Sequence, residues 1–189
     1  MTQLELQQRG LLDLVKRRGA PPSDPYLCRV QGSRELKVVQ EIAIWWRTFQ
    51  LEAQCRFTSS LLKRLSCFDS AVANYFNNNG TSPFVEELSY GFLNFLNGHN
   101  DGNDGNDGYD GYDGLVRTVA QFEHAVLQAR AGSAEAFEVV WDRHPDYVIL
   151  ALENGSDLPG PEADCLYRMR IARDLPNMVS CTREFHTLE

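Results

Sequence analysis

A chain of 189 residues with 43% hydrophobic and 11% aromatic content has the make-up of a globular protein long enough to bury a core of its own. Its net charge of −8 weighs against a general nucleic-acid binder; five aspartates (Asp101, Asp104, Asp107, Asp110 and Asp113) fall in one run, so the rest is only mildly acidic. The longest uninterrupted apolar runs, such as Val148 to Leu152, are too short to span a bilayer, and the N-terminal stretch carries Glu5, Arg9 and Asp13 where a secretory signal needs an apolar core, so a soluble cytoplasmic protein is expected.

Thr2 to Arg18 reads as a helix with Leu4, Leu11, Leu12, Leu14 and Val15 on one side. Lys16, Arg17 and Arg18 lie in its last turn, where cations favour the negative end of the helix dipole, and Gly19 ends it. The segment from Ala20 to Pro25, with three prolines, is expected to be extended. Ser33 is placed to cap the next helix, along which Val38, Ile42, Trp45 and Phe49 recur at spacings of four, three and four. Trp45 and Trp46 diverge by about 100° around that helix. A broad buried face is expected to take both, the alternative being that one ring meets a partner.

Residues 56 to 78 continue in helical pattern through Leu61, Leu62, Leu65, Phe68, Val72 and Tyr75. A further helix starts with Ser82 as cap and Pro83 at its first position, carrying Phe84, Leu88, Phe92 and Phe95. Five triplets, NDG three times and YDG twice, then run from Asn100 to Gly114. Their aspartates fit neither the EF-hand loop nor the nonapeptide calcium repeat, and the composition is that of a flexible solvated loop over 99–114. Leu115, Val119, Phe122, Val126 and Ala129 form the stripe of another helix, ended by Gly132, with Glu123, His124 and Arg130 off the stripe.

The last third changes period. Phe137, Val139 and Trp141 alternate with polar residues; so do Cys165, Tyr167, Met169 and Ile171, and again Val179, Cys181 and Phe185. Three half-buried strands are predicted, the last two joined through Arg173–Asn177. A helix from Pro145 to Gly155 lies between the first two, with His144 as a possible cap. The expected architecture is α+β: a helical domain over 1–132 and a small domain over 133–187 with a three-stranded antiparallel sheet and one helix.

No catalytic motif stands out. HExxH, GxSxG, GxxxxGK[ST] and GxGxxG are missing, and His99, His124, His144 and His186 are scattered. The five cysteines, Cys28, Cys55, Cys67, Cys165 and Cys181, form no CxxC pair and are expected to be reduced and mostly buried, a Cys165–Cys181 disulfide being the alternative. The one polar set suited to recognition is Arg168, Arg170 and Arg183, whose guanidinium groups match carboxylates on a peptide adding to an open sheet edge.

The run from Leu115 to Phe185, with the segments LVRTVAQFEHAV, VVWDRHPDYVILALENG and YRMRIARDLPNMVSC, contains stretches that resemble the MbnC family of methanobactin biosynthesis. They are similar also to the wider group of small partner proteins encoded beside multinuclear iron oxygenases that modify peptides. Length and the helical N-terminal half agree over most of the chain, while the NDG/YDG run has no place in the family pattern. The resemblance implies a non-catalytic subunit in a heterodimer with an MbnB-like iron enzyme of TIM-barrel type. The iron belongs to that partner, and this chain carries no metal or cofactor. The subunit binds the leader of an MbnA-like precursor and presents its cysteines for conversion to oxazolone and thioamide, in making a copper chelator. Peptide-binding candidates are Arg168, Arg170, Val179, Cys181, Arg183 and Phe185; partner-facing candidates are Trp45, Trp46, Phe49 and Trp141. A DNA-binding regulator and a stand-alone enzyme are the rival classes.

Overall fold

The computed structural model describes residues 2–16, 22–78, 84–98 and 114–185. It divides into two compact units, Met1–Gln50 and Leu51–Glu189. The fold is α+β, a helical region followed by an open three-stranded antiparallel sheet with one helix set between its strands.

The first unit holds α1 (Gln3–Val15), α2 (Pro25–Gln31) and most of α3 (Arg34–Gln54). Thr2 and Glu5 form a reciprocal cap at the start of α1: the Thr2 hydroxyl accepts from the Glu5 N–H, and the Glu5 carboxylate accepts from the Thr2 N–H. Pro25 departs from the expected extended connector. It opens α2 at the first helical position, where its missing N–H costs nothing, with Asp24 as cap accepting from the Tyr26 and Leu27 N–H groups at 2.8 and 3.1 Å. Those two backbone N–H groups, that of Leu27 foremost, hold the Asp24 carboxyl below its ordinary range. Gly10 lets α1 and α2 approach, since a Cβ there would lie 2.3 Å from Leu27 Cδ1. The Ser33 hydroxyl caps α3 as expected, accepting from the Leu36 N–H at 3.1 Å. Leu14, Leu27 and Leu36 form a buried cluster here, with Leu11, Val15 and Val30 packed around them. Arg17, Arg18, Gly19, Ala20 and Pro21 lie outside the described residues.

The second unit packs α4 (Arg56–Arg64), α5 (Phe68–Asn78), α6 (Val85–Leu96), α7 (Gly114–Arg130) and α8 (Pro145–Asn154) with the sheet around one core. The helical pattern over 56–78 is realised as two helices. The Cys67 N–H bonds to Leu62 O and the Ser66 N–H to Lys63 O, a Schellman turn with Ser66 left-handed at φ 55°, and this reversal turns Phe68, Val72 and Tyr75 back onto the core. The same turn ends α7, with Gly132 at φ 95° in the left-handed place, as its residue type foretold. Gly91 permits α5 and α6 to touch, because a Cβ on it would sit 2.4 Å from Tyr75 Oη. Ser82, Pro83 and residues 99–113 of the expected loop lie outside the described residues, while Gly114, the last of the NDG/YDG run, opens α7.

Strands β1 (Phe137–Trp141), β2 (Cys165–Ile171) and β3 (Val179–Phe185) pair in the order β1-β2-β3, antiparallel throughout. Helix α8 begins at Pro145 and ends at Gly155, left-handed at φ 73°, as expected. Its last carbonyls and the turn beyond it are met by α4: Arg64 donates to Ala151 O and, past the helix, to Ser156 O, and the Ser60 hydroxyl donates to Leu152 O. The expected boundary at residue 132 does not coincide with the unit division, because α7 and the sheet share a core through Val119, Phe122, Val139 and Trp141. The third strand also departs from expectation. Val179 is half-buried, but every residue from Ser180 to Phe185 is exposed, since β3 is an outer strand that the core covers only at its start.

Candidate functional site

Strand β3 is hydrogen-bonded to β2 on one side and to no strand on the other among the described residues. Its register sorts the candidate side chains onto two faces. Residues directly opposite in an antiparallel pair point the same way. Val179 faces Ile171, Cys181 faces Met169, Arg183 faces Tyr167 and Phe185 faces Cys165, so these four share the side of the buried β2 residues. Arg168 and Arg170, opposite Thr182 and Ser180, share the outer side. The three arginines therefore do not form one basic face.

Arg168 is already engaged across all three strands. It grips both oxygens of Glu184 at 2.9 and 3.2 Å, and its other terminal nitrogen meets Glu138. The paired carboxylates raise its pKa further, and in turn Arg168 lowers that of Glu184. Arg170 is exposed and makes no ion pair among the described residues.

Arg183 belongs to a polar cluster that no sequence spacing announced. Its Nη2 donates to Glu162 Oε2 at 2.9 Å and its Nε to Cys165 Sγ at 3.3 Å, while the Cys165 thiol donates to the same Glu162 oxygen at 3.1 Å. The Tyr167 hydroxyl reaches Glu162 at 2.9 Å, and the Arg183 guanidinium lies over the rings of Tyr167 and Phe185 at 5.5 and 4.8 Å. The thiol and phenol donors hold Glu162 below the ordinary carboxylate range, and desolvation with the Glu162 bond pushes Tyr167 up to about 12. The cluster fastens the end of β3 to the loop before β2. Cys165 is buried within it and is no accessible nucleophile. Both Cys165 and Cys181 are free, and the register sets them opposite Phe185 and Met169, not opposite each other. Cys28 and Cys181 are exposed, contrary to the expectation of mostly buried thiols. His144 stands at the start of α8 without capping it by its side chain; its ring lies 4.6 Å from that of Tyr147 and 4.9 Å from that of Tyr167.

The partner-facing candidates divide. On α3 the expected buried stripe is exposed: Trp45 is 65% exposed, and Val38, Ile42, Trp46 and Phe49 are exposed with it. Both indoles stack on Phe49, at 6.0 and 5.7 Å between ring centres. Trp141, by contrast, is fully buried, its ring edge-on to Phe122, and offers no surface.

Glu123 is the residue that the helical stripe misplaced. It is buried, and its carboxylate accepts from the N–H groups of Phe57 and Thr58 at 2.7 and 2.8 Å, capping α4, whose own Cys55 supplies no side-chain cap. Burial raises its pKa. It lines a cavity of about 400 Å³ together with Phe57, Phe122, Val126 and Leu127, and with Met178 and Val179 at the foot of β3. Among the described residues no group of three or more His, Cys, Asp or Glu side chains is placed to hold a metal ion, and no helix is long and apolar enough to cross a membrane.

The architecture defines an α+β chain with an exposed outer strand. Compared with known proteins, it matches no family model, no curated protein and no solved structure.

Proposed function

We propose that this chain is the non-catalytic subunit of an iron-dependent peptide-modifying oxygenase, of the kind that makes oxazolone and thioamide groups in methanobactin biosynthesis. The observation that carries the reading is β3, a seven-residue strand paired on one side only among the described residues. Such an edge offers a row of backbone donors and acceptors, and an extended leader peptide adds to it as a fourth strand. Val179, Cys181, Arg183 and Phe185 meet the peptide side chains on one face and Arg168 and Arg170 those on the other. The aromatic stripe of Trp45, Trp46 and Phe49 docks the iron enzyme, since exposed aromatic clusters are the anchors of protein interfaces. Iron and dioxygen chemistry belong to that partner. What this subunit contributes is tethering, which turns the encounter of substrate and enzyme into an internal event at raised effective concentration.

The test is co-expression with the iron enzyme encoded beside it, followed by titration with the synthetic leader. A stable one-to-one complex that binds leader, with iron tracking the partner, supports the reading. No complex and no leader binding would sink it, and a salt-dependent shift of duplex DNA would replace it with a regulator.

A further inference from the structure

We infer that the cavity at the foot of β3 is a specificity pocket that takes one bulky apolar side chain of the bound peptide, with an acidic residue two positions along. The inference rests on the strand-addition reading above. Val179 is at once the first residue of β3 and part of the cavity lining. It lies opposite Ile171, which is fully buried, so its side chain points to the core side of the sheet. A strand added beyond β3 lies about 4.8 Å further out, and its residue opposite Val179 points to that same side. That places one peptide side chain over the cavity mouth.

The walls select what enters. Phe57 and Phe122 are in ring contact at 6.1 Å, and Val126 and Leu127 continue the apolar lining along α7. The volume of about 400 Å³ sits within the range of roughly 300–1,000 Å³ typical of ligand pockets. Glu123 in the lining calls for no cation, because its oxygens already hold the α4 N–H groups. The charged side chains of the lining are Arg56, Glu123, Arg130 and Glu153. Arg130, exposed in the last turn of α7, makes no ion pair among the described residues, and Arg56 meets Glu153 only at 3.8 Å. Side chains two apart on a strand share a face, so an acid next on that side of the peptide comes within reach of Arg130.

The experiment is a double-mutant cycle on the full chain, with the synthetic leader as probe and fluorescence anisotropy as readout. Each bulky apolar residue of the leader is changed to alanine against wild type, Val126→Trp (which fills the cavity) and Arg130→Glu. One apolar position should cost wild type roughly 10- to 30-fold in affinity and cost Val126→Trp almost nothing, as expected of a buried anchor. Arg130→Glu, at an exposed site, should weaken the leader by about 3- to 10-fold, an effect that high salt erases. If wild type binds the leader and neither variant changes its affinity, the pocket is refuted while strand addition stands. If wild type does not bind the leader, both fall together. Should Val126→Trp not fold, Arg130→Glu and the peptide scan decide the matter alone.

Discussion

The carboxylate of Glu123 accepts a hydrogen bond from the backbone N–H of Phe57, 66 positions earlier in the chain, at 2.7 Å. With the matching bond from Thr58, helix α4 is capped by α7. Glu123→Ala strips a buried pair of donors of their acceptor and should cost about 2–4 kcal/mol in urea denaturation. The pH dependence has a definite sign. Burial lifts the pKa of Glu123 above the ordinary 4.5, so the folded state holds its proton more tightly than the unfolded chain does. That contribution is whole below the ordinary value and is lost as pH rises through the raised one. Wild type minus Glu123→Gln stability should therefore decline with rising pH over that window, and a flat difference would contradict it.

Gly91 and Tyr75 are set by a single close approach. A Cβ at Gly91 would meet Tyr75 Oη at 2.4 Å but Cζ at an ordinary 3.4 Å, and the same hydroxyl donates to Leu88 O at 3.3 Å. Gly91→Ala should destabilise by about 1–3 kcal/mol through overpacking. Tyr75→Phe should absorb most of that cost, so the two changes together come out less damaging than their sum. Thermal melts of the four proteins give the coupling, and strict additivity would refute it.

Ser66 carries a left-handed backbone at φ 55° in the turn between α4 and α5. A residue with a Cβ is strained there, and glycine is not. Ser66→Gly should stabilise the chain by about 0.5–1 kcal/mol, the gain being held down by the extra freedom glycine gives the unfolded state. A lower denaturation midpoint would show that Ser66 is not strained.

Trp45 and Phe49 are exposed on α3, so replacing both by serine removes little of the chain's own packing. Stability should change by no more than about 0.5 kcal/mol per site. Binding to the iron enzyme proposed as partner should fall by well over tenfold, as for aromatic anchors at other interfaces. Unchanged co-purification of the double variant would remove α3 from the docking surface.

How far the sequence is legible varies with the range of the interaction. Alternation placed the three strands, and the Pro145 and Gly155 pair bounded α8, because period and end chemistry are properties of a few neighbouring residues. The Ser66 turn is not legible in the sequence, since serine is no usual left-handed residue, whereas Gly132 marks the same turn. Arg183 stands out in the sequence together with Arg168 and Arg170, but the cluster it forms with Glu162, Cys165 and Tyr167 spans a loop and two strands, and no linear spacing encodes it.

By itself, then, the sequence determined the α+β class and the periods and ends of most elements, all of them local choices of backbone and side-chain polarity. Only the tertiary structure decided which apolar stripe is covered. The Trp45–Phe49 stripe and that of α7 look alike in pattern, yet one is exposed and the other packs under the sheet. It also decided that Glu123 caps a helix from across the core and that the arginines of β2 and β3 face opposite ways. Burial and register are relations between distant segments, and a stripe of residues states only that a partner is needed, not which one supplies it.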